Sequence, residues 1–78
     1  MVLPDNDALL TRDQVARALT AAGFPTSPKT LATKASRGGG PPFRKYSNRP
    51  LYQWGTSLAW AISRLGPIVT STSEADVA

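Results

Sequence analysis

At 78 residues with a net charge of +4, the chain can hold one small domain and no second core, because so short a chain buries only roughly 60% of its unfolded surface. The absence of Cys and His excludes disulfides, thiolate metal sites and a histidine general base, and with so little scaffold for a cleft it argues against an enzyme. No apolar run reaches the roughly 20 residues of a bilayer span, and the start of the chain lacks the basic-then-apolar order of a signal peptide, so the expectation is a cytoplasmic protein with no cofactor and no membrane attachment.

Residues 1–9 read as a polar lead-in, 10–66 as the domain and 67–78, rich in Ser and Thr, as a flexible tail. Thr11 followed by Gln14 forms a capping box, with Leu10 and Val15 in the two positions of a hydrophobic staple. Val15, Ala18, Leu19 and Ala22 then recur at helical spacing. Gly23 suits a left-handed helix end with Phe24 folding back. Ser27-Pro28 starts a second helix, Ser as the cap and Pro in the first turn. That helix runs to Arg37 and is apolar only along Leu31 and Ala35. Gly38-Gly39-Gly40-Pro41-Pro42 terminates it.

Phe43-Arg44-Lys45-Tyr46 and Leu51-Tyr52-Gln53-Trp54 predict a β-hairpin with Ser47-Asn48-Arg49-Pro50 as a four-residue connection. A third helix is expected from Gly55, with Leu58, Ala59, Ile62 and Leu65 at helical spacing and Trp60 in the core. Gly66-Pro67 stops it. Trp54, Tyr46 and Tyr52 are further core candidates, and any of these four aromatics left outside the core would be free to stack on unpaired bases.

The charge is unevenly spread. Asp5, Asp7 and Asp13 lie near one end and Glu74 and Asp76 near the other, while the interval from Gln14 to Ser73 holds eight Lys and Arg and no acid. A field of one sign over such a stretch repels itself unless a polyanion is near, and nucleic acid is the partner it best fits. A membrane surface fits less well, since no stretch joins a basic face to a continuous apolar one.

Helix, short turn, helix and basic hairpin is the order of a winged helix-turn-helix, a mainly α fold with a small β-hairpin. In that plan the second helix enters the major groove of duplex DNA. Ser27, Lys29, Thr30, Thr33, Lys34 and Arg37 are its candidate contacts, though an ordinary solvated helix face would carry the same residues. The free N–H groups at the Ser27-Pro28 end suit a phosphate. Arg44, Lys45, Asn48 and Arg49 are the candidate contacts of the hairpin, chiefly to backbone; protection of a sheet edge is the plainer reason for such charges. Gly38–Gly40 is no phosphate loop, because neither a preceding strand nor a following Gly-Lys-Ser/Thr accompanies it.

Over residues 9–66 the chain resembles the excisionase and AlpA-like branch of the MerR-type winged helix-turn-helix domains. The likeness is carried by Leu10-Thr11, Ser27-Pro28-Lys29-Thr30-Leu31, Gly40-Pro41-Pro42-Phe43, Tyr52 and Ala59-Trp60. It departs from the family pattern in having Gly55-Thr56-Ser57 where an acid often opens the last helix, and a hairpin tip that is not Gly-rich. The resemblance implies a small double-stranded DNA-binding protein of a mobile element. Such a protein acts either as a recombination directionality factor that shapes attachment-site DNA for an integrase, or as a transcriptional regulator. A lone domain covers about one turn of DNA, so adjacent copies bound side by side are expected. A basic module that docks an acidic protein, and a binder of single strands or RNA, remain open from the residues alone.

Overall fold

The computed structural model describes residues 3–70. In chain order these form β1 (Leu9–Leu10), α1 (Arg12–Ala21), α2 (Pro28–Arg37), β2 (Arg44–Tyr46), β3 (Arg49–Gln53) and α3 (Trp54–Ser63). The chain therefore combines three helices with one antiparallel sheet of order β1-β3-β2. No helix among the described residues is long and apolar enough to cross a membrane. The tail expected over 67–78 lies outside the described residues from Ser71 on, as do Met1 and Val2 of the lead-in.

Local signals decide the first two helices. The Thr11 hydroxyl accepts from the Gln14 N–H at 3.2 Å, and the Gln14 side chain accepts from the Thr11 N–H at 2.9 Å, so both halves of the capping box form. Gly23 sits at φ 102°, a left-handed conformation open to glycine at little cost. Its N–H reaches Thr20 O, and the Phe24 N–H reaches Leu19 O at 2.8 Å. This paired closure leaves Phe24 packed against the core. Ser27 caps α2 by accepting from the Thr30 N–H at 3.1 Å.

The hairpin is tighter than its residues suggest. Tyr46 pairs with Arg49, Lys45 with Pro50 and Arg44 with Leu51, leaving a two-residue turn at Ser47 and Asn48, with φ 48° and 69°. Two consecutive positive φ values match the twist of the flanking strands, and Asn tolerates them better than most residues. Arg49 and Pro50 thus belong to β3 and not to the connection. Pro50 is harmless there. The pair flanking a two-residue turn exchanges both ladder bonds, so Lys45 and Pro50 form the non-bonded pair that follows. The missing N–H of Pro50 would point to the opposite edge, beyond the reach of β1, whose pairing stops at Tyr52.

The lead-in contributes to the sheet. Leu9 pairs with Gln53 and Leu10 with Tyr52. Ala8 O then accepts from the Trp54 N–H, and Asn6 O from the Gly55 N–H, both at 2.9 Å. These carbonyls satisfy two of the N–H groups that every helix start leaves unpaired, which α3 needs because Gln53 supplies no side-chain cap.

Val15, Leu19, Leu31, Tyr52 and Trp54 are the large side chains of the core, each worth on the order of 1.5–3 kcal/mol of burial. The buried line of α3 is Trp54, Ser57 and Ala61, with Leu58 partly covered. Ile62 and Leu65, expected on that line, stand 52% and 63% exposed. Both tryptophans were core candidates, and the structure buries them unequally. Trp54 opens α3 and is buried, whereas Trp60 is half-buried and donates from Nε1 to Gly39 O at 3.0 Å.

Candidate functional site

The surface of α2 follows from its narrow apolar line. Leu31 is buried, and Ala32, Lys34 and Ala35 are half-buried. At about 100° per residue, the exposed Lys29, Thr30, Thr33, Ser36 and Arg37 fall within one arc of about 120°, opposite Leu31. Thr33 lies at the middle of that arc, and Ser36, at its edge, was not among the residues singled out from the sequence. Its signal was its helical spacing from Lys29 and Thr33. Ser27 and Thr30 are partly committed, because their hydroxyls lie 2.9 Å apart while Ser27 caps the helix. Lys34 sits at the margin, and its base lies against Gly40. A Cβ on that glycine would fall 2.9 Å from the Lys34 Cβ.

The approach of α2 to α1 is held by a threonine clip. The Thr20 hydroxyl donates to Ala16 O at 2.9 Å and accepts from the Thr26 N–H at 3.2 Å. Thr26 in turn donates from its hydroxyl to Phe24 O at 2.8 Å. This ties the α1–α2 connection to the outer side of α1 just before Ser27. At the other end of α2, Leu31, Lys34 and Ala35 share a shallow cleft with Gly38–Phe43 and Tyr52, so α2 meets the hairpin through its base.

Strand pleating divides the hairpin cations. Tyr52 and Leu10 face the helices, and alternation then sets Pro50 and Lys45 on the same face. Arg44, Tyr46, Arg49 and Leu51 occupy the face turned away from α1 and α2. The four candidate residues of the hairpin therefore do not form one patch: Lys45 lies on the helical side, Asn48 at the tip, and Arg44 and Arg49 behind.

Among the described residues, Lys29, Lys34, Arg37, Arg44, Lys45 and Arg49 take part in no ion pair. Two other cations rest on aromatics. The Arg12 guanidinium is 5.9 Å from the centre of the Tyr52 ring and donates from Nε to its hydroxyl at 3.1 Å, and Arg64 lies 5.6 Å from the Trp60 ring. The unpaired cations are thus those of α2, of the hairpin and of Arg17. The described residues contain no group of three or more acids able to hold a metal.

No family model, curated protein or solved structure matches the chain.

Proposed function

We propose that the chain is a sequence-specific duplex DNA-binding protein of the winged helix-turn-helix kind, serving as a recombination directionality factor. The observation that carries the reading is the α2 arc: two cations and three hydroxyls exposed together opposite Leu31, with Lys34 at the margin and without a carboxylate anywhere from Gln14 to Ser73. An α-helix of this polarity fits the major groove. Lys29, Thr33, Ser36 and Arg37 face the base edges, and Lys34, at the margin, extends its ammonium towards a phosphate. Lys45 and Asn48 follow on the neighbouring backbone as the wing. The family resemblance of Ser27-Pro28-Lys29-Thr30-Leu31 and Gly40-Pro41-Pro42-Phe43 supports the same assignment and points to an integrase as the partner.

One such domain covers about one turn of DNA, so several copies side by side supply the specificity. Copies in phase with the helical repeat bend the site, at a cost of order 1–6 kcal/mol that extra phosphate contacts offset. Footprinting on the DNA flanking the gene, joined to a circular-permutation gel shift, tests the proposal. Repeated protected sites and bent DNA are the expected result. Arg37→Ala should weaken cognate binding by about 1–3 kcal/mol if it reads a base. A single occupied palindrome on unbent DNA would favour a transcriptional regulator. Unchanged affinity in Lys29→Ala, Lys34→Ala and Arg37→Ala alike would remove α2 from the interface.

A further inference from the structure

Four aromatic side chains stood as candidates to stack on an unpaired base, and the tertiary structure separates them. Tyr52 and Trp54 are buried, and Trp60 is tied to Gly39 and Arg64. Tyr46 is 70% exposed, and its side chain makes no hydrogen bond or ring contact with any described residue. Its neighbours on the outward sheet face are Arg49, directly across the strand pair, Arg44, two residues back, and Leu51 opposite Arg44. Directly opposed side chains start about 4.5–5.5 Å apart, so Arg49 starts beside the ring, with Arg44 on the same face of the same strand. Edge protection would explain the cations, but it does not call for a large ring left open beside them.

We propose that the outward sheet face of Arg44, Tyr46, Arg49 and Leu51 binds single-stranded nucleic acid, with an unpaired base on the Tyr46 ring and the two guanidiniums on its flanking phosphates. An exposed aromatic on a sheet, bordered by Arg, is the arrangement by which single strands are held with little sequence preference. Leu51 continues the apolar floor beside the ring. At the far end of the face Asp7 accepts from Gln53 Nε2 at 3.3 Å, and its carboxylate repels phosphate, so the strand lies at the hairpin end. This surface is opposite the helical face of the sheet and does not depend on α2 reading a duplex. The protein can then hold a displaced strand beside a duplex.

The test is fluorescence anisotropy of a labelled short oligothymidylate, of an abasic oligomer of the same length, and of a duplex, each with the full chain. Tyr46→Ala should lower oligothymidylate affinity about 5- to 100-fold, while Tyr46→Phe retains most of it because the ring remains. Duplex binding should be unchanged in both, and buried Trp54 gives the fold control through its emission. Arg44→Ala and Arg49→Ala should each weaken the single strand and flatten its salt dependence. No binding of oligothymidylate, equal affinity for the abasic oligomer, or displacement by polyglutamate as readily as by oligothymidylate would overturn the proposal. So would a Tyr46→Ala loss shared equally by the duplex, which would place the ring in the duplex interface. Failure of duplex binding in every variant, with the oligothymidylate pattern intact, would count against the duplex reading alone.

Discussion

Ser57 offers the sharpest check on the packing. It lies on the buried line of α3 at 0% exposure, and its hydroxyl has no hydrogen-bond partner. A buried hydroxyl without a partner costs about 1–3 kcal/mol. Ser57→Ala removes that cost and adds a few tenths of a kcal/mol, up to about 0.5, in helix propensity. Against this stand only the few contacts of one oxygen atom, each worth about 0.1–0.2 kcal/mol. The net expectation is a gain of about 1–2 kcal/mol. For a domain of this size that raises Tm by about 4–8 °C per kcal/mol. Urea unfolding followed by tryptophan emission measures it, and an unchanged m-value would show that the denatured state is not involved. Ser57→Val should move the other way by about 1–3 kcal/mol, because added methyls meet a filled position. A Ser57→Ala protein less stable than its parent would refute the reasoning. The hydroxyl would then be bonded, most simply to the Gln53 carbonyl one turn earlier.

Other expectations follow from the same geometry. Thr11→Ala removes the α1 cap and should cost about 1 kcal/mol in urea unfolding, with a smaller loss for Gln14→Ala. Gly40→Ala forces the α2–β2 loop off the base of Lys34 and should destabilise by about 1–3 kcal/mol; a neutral result would mean that the contact relaxes freely. Trp60→Phe leaves the Gly39 carbonyl without its donor at a cost of about 1 kcal/mol in unfolding. If Lys45 meets duplex backbone, Lys45→Ala lowers affinity about equally on cognate and random duplexes and reduces the salt slope by about one.

What could be read from residues alone was local. The capping box at Thr11 and Gln14, the Gly23 closure and the Ser27-Pro28 start are each satisfied by atoms within a few residues, so short sequence patterns carry them. The apolar line of α2 was legible for the same reason: one helix face needs one partner, and Leu31 with Ala35 marks it. The length of the hairpin turn was not. Ser47-Asn48-Arg49-Pro50 contains four turn formers, and only the pairing of Tyr46 with Arg49 decides that two of them continue the strand.

Everything that depends on where a segment docks needed the tertiary structure. Asn6, Ala8 and Leu9 carry no strand signal as a polar lead-in, yet their carbonyls and pairing complete β3 and the start of α3, because those N–H groups have no nearer partner. Along α3, hydropathy favoured Leu58, Ile62 and Leu65, all large and apolar. The core instead takes the line led by Trp54, since the strand–helix junction points that ring inward and leaves only small side chains, Ser57 and Ala61, room to follow. The split of Arg44 and Arg49 from Lys45 is likewise invisible in a run of basic residues. A pleat gives alternate residues opposite faces, and which face meets the helices is set by where Tyr52 is buried.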